Sequence, residues 1–136
     1  MKTIKWILLI FVLLFCWIAC TNEKTSQTEE YVIKVDSVQV AETVTHGSKI
    51  VVEFYGIIGP NGCSSFSRFI TISQNKTHNI TVIGKRNVGE NLMCPENLPI
   101  LNGMKLELVA DSVGIYTVEI VNPGIHNLIT KKVTVQ

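Results

Sequence analysis

Outside one N-terminal segment, this chain has no long apolar run, no block of like charge and no helical repeat of apolar positions. Each absence removes a class of function. The 12 Lys and Arg side chains nearly balance 11 Asp and Glu, which leaves no electrostatic footprint for nucleic acid and no polybasic reinforcement for anionic lipid. There is no Gly-x-Ser-x-Gly elbow, no His-Glu-x-x-His and no phosphate-binding loop, so no familiar catalytic constellation is present and no cofactor is expected. His46, His78 and His126 are isolated, without a ligand-type partner at i+2 or i+4, and read as turn or surface residues rather than metal ligands. Glu53, Glu107 and Glu119 are spread one per predicted strand, where solvated strand-face charges are the default. The sequence predicts a protein that is not an enzyme.

The exceptional segment is the first twenty residues. Lys2 and Lys5 precede an unbroken apolar run, residues 6–19, and Ala19 stands immediately before Cys20. A charged n-region, an apolar h-region and a small residue at the junction make an export signal. As a helix the run would cover about 21 Å, short of the roughly 30 Å hydrocarbon core, and Thr21, Asn22, Glu23 and Lys24 then end it. A cleaved signal over residues 1–19 with Cys20 as lipid acceptor is therefore the expectation. An ordinary secretory signal and an uncleaved anchor are the alternatives. Without Lys2 and Lys5 the balance is ten basic to eleven acidic side chains, so membrane attachment would rest on acyl chains alone.

The four cysteines then sort themselves. Cys16 leaves with the signal and Cys20 carries lipid, so Cys63 and Cys94 remain as an even pair in an exported chain. Each lies in turn-rich sequence, Gly59-Pro60-Asn61-Gly62-Cys63 and Met93-Cys94-Pro95-Glu96-Asn97. Redox-active pairs usually occur as Cys-x-x-Cys at a helix start; a structural disulfide is the expectation here. Closing a loop of some thirty residues is worth roughly 3–4 kcal/mol in the chain-entropy model.

Residues 21–30 contain no apolar side chain and are expected to form a flexible tether behind Cys20. From Tyr31 the pattern alternates with period two. Ile33 and Val35 are in phase, Val38 and Val40 are in phase, and the phase slips at Asp36-Ser37, which implies a bulge or a change of sheet. Further strands are expected over residues 48–58, 65–73 and 79–85, then around Met104–Ala110, Tyr116–Val121 and Ile129–Val135. In the strand over residues 65–73 Ile70 and Ile72 share one face while Phe66 and Phe69 lie on opposite faces, so its phase stays open. Residues 86–101, with Pro95 and Pro99, read as a long loop that Cys94 would tie down.

About seven short strands punctuated by turns predict an all-β sandwich over residues 31–136; a small open barrel is the alternative. Asp111-Ser112-Val113-Gly114-Ile115-Tyr116-Thr117-Val118 resembles the tyrosine corner of immunoglobulin-like domains, with Asp111 one residue further from Tyr116 than usual. Asp36-Ser37-Val38 and Asp111-Ser112-Val113 fit the Asp-Ser/Thr-aliphatic pattern of bacterial protein O-glycosylation, making Ser37 and Ser112 candidate acceptors. Two Asn-x-Thr matches, at Asn75 and Asn79, read as coincidence behind a bacterial signal.

Taken whole, the chain resembles the small single-domain lipoproteins of Bacteroidota. It shares their loose lipobox, here Trp17-Ile18-Ala19-Cys20, their polar tether, a closing Gly-x-Tyr-x-Val strand and the stretch from Tyr55 through Gly62-Cys63-Ser64-Ser65-Phe66. That resemblance implies a lipid-anchored, immunoglobulin-like β-sandwich in the envelope, on the periplasmic or surface face of the outer membrane. It brings no activity and no functional residues. The leading expectation is a binding or scaffold module for a protein or glycan, through the loop over residues 86–101. An inhibitor or immunity-type protein, and thiol–disulfide chemistry at Cys63 and Cys94, are the other two.

Overall fold

The computed structural model describes residues 27–124 and 128–136. The signal segment, Cys16, Cys20, residues 21–26 and His126 lie outside the described residues. Nine strands follow in order: β1 (Gln27–Val32), β2 (Ser37–Val40), β3 (Thr43–Val44), β4 (Lys49–Ile57), β5 (Ser64–Gln74), β6 (Thr77–Val88), β7 (Ile100–Val109), β8 (Gly114–Val121) and β9 (Leu128–Val135). The described residues contain no helix.

Alternation decides which faces meet. In β4, Ile50, Val52 and Phe54 are buried while Lys49, Val51, Glu53 and Tyr55 face outward. Val38 and Leu108 join them from β2 and β7, and these three strands form one sheet in the order β2-β4-β7. Ile80 and Val82 of β6, Tyr116, Val118 and Ile120 of β8, and Val133 and Val135 of β9 come from the second sheet. That sheet has six strands, β1-β6-β8-β9-β3, with β5 on the far edge of β6. The two apolar faces pack into one core, which provides the main driving force for folding.

The phase slip at Asp36-Ser37 is a change of sheet. β1 lies in the six-stranded sheet and β2 in the three-stranded one. Between them Ile33 N donates to Val82 O (2.8 Å) on one sheet, and Asp36 N donates to Tyr55 O (2.9 Å) on the other. Asn122, just past β8, clamps this crossover. Its Oδ1 accepts from Val35 N and its Nδ2 donates to Val35 O, both at 2.8 Å. The side chain thus supplies the pairing that a strand neighbour would otherwise give.

The expected tether ends earlier than its composition implies. Gln27 to Glu30, placed in the tether by their polarity, are the first four residues of β1 and pair with Val88 to Lys85. They bury almost nothing. Backbone pairing holds them, aided by ion pairs of Glu29 with Arg86 (2.8 Å) and Glu30 with Arg68. The Arg68 and Ser67 hydrogen bonds hold the Glu30 carboxyl below its usual range. At Tyr31↔Gly84 the ring lies across the glycine, where a Cβ would stand 2.8 Å from the ring and 2.9 Å from Ile33. Glycine at 84 therefore permits the close approach of β1 and β6.

The undecided phase of β5 is settled by a bulge between Phe66 and Arg68. The extra residue lets Phe66 and Phe69, three apart, share the core side. Their rings lie 4.9 Å apart, and Phe69 lies 4.9 Å from Phe54 across the core. Ile70 and Ile72 point outward.

Two pairings are parallel, β3 with β9 and β6 with β8. Immunoglobulin sandwiches are built from two antiparallel sheets, so the β6–β8 pairing departs from that expectation, as do the two additional strands. The tyrosine corner itself is present. Tyr116 donates to Asp111 Oδ1 (2.9 Å) and accepts from Ser112 N (3.2 Å). The extra residue between Asp111 and Tyr116 does not prevent the bond.

Candidate functional site

The loop favoured by sequence is shorter than residues 86–101. β6 runs to Val88 and β7 starts at Ile100, leaving residues 89–99. Cys63 and Cys94 are disulfide-bonded, with Cα atoms 5.1 Å apart. Gly62 N donates to Pro95 O (2.8 Å) and Ile58 N to Pro99 O (2.9 Å). This closes one end of the sandwich as a pinned cap, with Leu92 and Leu98 exposed and Met93 94% exposed. A small-molecule or side-chain site needs a hollow with converging polar groups.

Such a hollow exists at the opposite end. β5 and β7 are the edges of their respective sheets, and between them opens a cleft of about 450 Å³, within the usual range for ligand sites. Thr71 and Ser73 line it from β5, His78 from β6, Tyr116 from β8, and Leu106 to Val109 from β7. Asp111 and the β5–β6 turn complete the rim.

His78 forms the floor. The sequence places it before a strand starting at Asn79 and so reads it as a turn or surface residue; that reading is corrected here. β6 begins at Thr77, which puts His78 in phase with Ile80 and Val82 on the core side, and it is only 7% exposed. Its ring stacks on Tyr116 (centroids 5.7 Å apart, planes 9° from parallel). Nδ1 lies 2.7 Å from Ser73 Oγ. Nε2 is buried and has no hydrogen-bond partner. Either neutral tautomer leaves that nitrogen unsatisfied, as a donor if Ser73 gives its proton and as an acceptor if Ser73 receives one. Burial pushes the imidazole pKa below its ordinary value, against a smaller upward pull from the Asp111 charge. The floor is therefore a neutral polar group at neutral pH.

The turn that shapes the rim is strained. Asn75 and Lys76 both have positive φ, 48° and 64°, as a two-residue type I′ hairpin requires. Asn tolerates this region, whereas Lys does so at a cost of roughly 1 kcal/mol or more. Three contacts hold Lys76 in place. Its carbonyl accepts from Thr117 N (2.8 Å), its Nζ donates to Val113 O (2.7 Å), and that ammonium lies 5.8 Å from the Tyr116 ring centroid. The rim is thus tied to the tyrosine corner.

Ser73 and His78 have the spacing of a nucleophile and its base. A working dyad also needs a third group orienting the imidazole and donors for an oxyanion. Among the described residues no hydrogen bond reaches His78 Nε2, so no third group is seen on that side of the imidazole.

The other sequence candidates do not converge on the cleft as a set. Glu53 pairs with Lys105 (3.1 Å) and Glu107 with Lys49, both on the outer face of the three-stranded sheet. Glu119 faces outward on the other sheet. Exposed His46 lies 3.4 Å from the Asp111 carbonyl. Ser37 is exposed at the start of β2, and Ser112 is half-buried with its hydroxyl 3.2 Å from Tyr116 Oη. Among the described residues no three His, Cys, Asp or Glu side chains gather as metal ligands. Sequence reading missed the cleft because its parts come from two edge strands and a hairpin distant in the chain. Its local signals were the Asn75-Lys76 pair and the corner formed by Asp111 and Tyr116. Family models, curated proteins and solved structures were all compared with this chain, and none matches it.

Proposed function

We propose that this chain is a bacterial envelope lipoprotein, held to the membrane by acyl chains on Cys20, that acts as a non-catalytic binding module for a protein or glycan. The observation that carries the binding reading is His78, a residue lining the cleft whose buried Nε2 has no hydrogen-bond partner. An unsatisfied buried polar group costs about 1–3 kcal/mol, and a ligand that supplies the missing bond recovers it. Leu106 and Leu108 offer an apolar wall, while Ser73, Thr71 and Asn75 offer uncharged polar groups, a mixture suited to an uncharged or weakly charged ligand.

The topology supports a division of labour between the two ends. Gln27, the first residue of β1, pairs with Val88 at the disulfide end. Thr77, at the cleft end, lies eleven residues back along β6, about 36 Å away at strand rise. An anchor on the N-terminal side would therefore face the pinned cap toward the membrane and the cleft away from it. The tyrosine corner supports kinship with immunoglobulin-like sandwiches, though the parallel pairings are a departure.

Two measurements test this. Cys20→Ser should move the protein from the membrane to the soluble fraction; retention in the membrane with the signal removed refutes the anchor. Full-length protein should bind members of a combined peptide and glycan array, with binding lost in His78→Phe. Equal binding by both proteins refutes the cleft as the site.

A further inference from the structure

We infer that the cleft accepts an extended polypeptide, which adds as a strand to the free edge of β7 and places one side chain between the sheets at His78. The inference rests on the reading of the cleft as the binding site and names its partner class. Four consecutive β7 residues, Leu106 to Val109, border the cleft. Side chains of a strand alternate between faces, so four in succession mean that the main-chain edge of β7, rather than one of its faces, lies along the opening. Among the described residues β7 pairs only with β4. From Met104 to Val109 it does so in unbroken register, the shift in that ladder falling at Phe54/Tyr55. This stretch has no proline or bulge, two of the devices that blunt an exposed edge, and its charged side chains, Lys105 and Glu107, pair with Glu53 and Lys49 of β4.

The geometry favours a peptide over a compact ligand. On the opposite flank the chain itself passes between sheets, β2 lying in one and β3 in the other with only Ala41 and Glu42 between them. The β5/β7 flank carries no such crossing among the described residues. A strand added to β7 would direct alternate side chains into the gap between the sheets, which is lined by His78, a residue with an unpartnered buried nitrogen. Main-chain bonds to β7 would supply affinity, and His78 with the Leu106–Leu108 wall would select the inserted side chain, as in other strand-addition complexes. An uncharged side chain with an amide or hydroxyl group matches the neutral imidazole.

The test uses full-length protein in detergent micelles and a displayed library of random peptides, each about as long as β7. A selected peptide is then synthesised unmodified and with N-methyl groups on alternate residues, in both phases. Methylation in the phase facing β7 should weaken binding about tenfold or more, the equivalent of one lost hydrogen bond; the other phase should have little effect. Amide exchange over β7 should slow on binding, and His78→Phe should weaken it. If neither phase of methylation matters while His78→Phe still does, strand addition is wrong and the cleft reading stands. If no peptide is selected, strand addition falls while the cleft reading, which also admits a glycan, is decided by the array; if His78→Phe has no effect, both fall. If β7 exchange slows with protein concentration alone, the edge is occupied by a second copy, and the peptide partner is refuted.

Discussion

Replacing Asn122 with alanine removes both partners of Val35 at once, and the structure sets the size of the effect. The Val35 backbone is buried, and its N–H and C=O each meet only one end of the Asn122 amide, at 2.8 Å. Leaving a buried group unpaired costs about 1–3 kcal/mol. Two such groups, less the relief of not burying the amide itself, give an expected loss of about 2–4 kcal/mol. For a domain of this size that lowers the melting temperature by roughly 8–16 °C. Urea unfolding should show a lower midpoint with an unchanged slope, since the surface exposed on unfolding hardly changes. Asn122→Asp sharpens the test. It keeps the acceptor for Val35 N but sets a carboxylate oxygen against Val35 O, so at neutral pH it should be at least as damaging as alanine and should recover on acidification. A loss below about 1 kcal/mol for Asn122→Ala, or an aspartate variant as stable as the parent at neutral pH, would refute the clamp.

Other consequences follow from single contacts. Because burial depresses the His78 pKa, the unfolded chain takes up a proton near 6.5 before the folded protein does. Stability should rise with pH through the window from the depressed folded value up to about 6.5, and His78→Phe should flatten that part of the curve measured by denaturant titration. The same variant removes an unsatisfied buried nitrogen, so it should melt no lower than the parent even as it loses ligand. Reducing the Cys63–Cys94 bond, or Cys63→Ser with Cys94→Ser, should cost about 3–4 kcal/mol for a loop of this length, read by unfolding with and without reductant. Gly84→Ala forces a methyl to within 2.9 Å of Tyr31 and Ile33 and should cost about 1–3 kcal/mol, with increased amide exchange localised to β1.

Much of the fold was legible because burial on one face leaves a period of two. β4 could be read from Ile50, Val52 and Phe54, and the sheet change from the slip between Val35 and Val38. Reading failed where something other than burial holds a strand. Gln27 to Glu30 bury almost nothing and pair through the ladder and ion pairs, so composition alone made them a tether. The bulge at Ser67 broke the phase of β5 and hid the fact that Phe66 and Phe69 share a side. β3 has two residues, too few to show any period. At the site, Tyr116 and Asp111 were visible as a corner, but His78 was misjudged by a strand boundary two residues off. No local pattern announces that two sheet edges will leave a gap over it.

The central claim is that ligand recognition occurs in the cleft above His78, and it can be tested in the native cell. A photo-crosslinking amino acid placed at Val109, on the rim, should yield a discrete adduct on irradiation of intact cells that make the protein. The adduct should be lost when His78→Phe is present in the same chain, and the same crosslinker at Lys132, on the outer face of the six-stranded sheet, should yield none. No adduct from position 109, or one that persists unchanged with His78→Phe, would contradict the account.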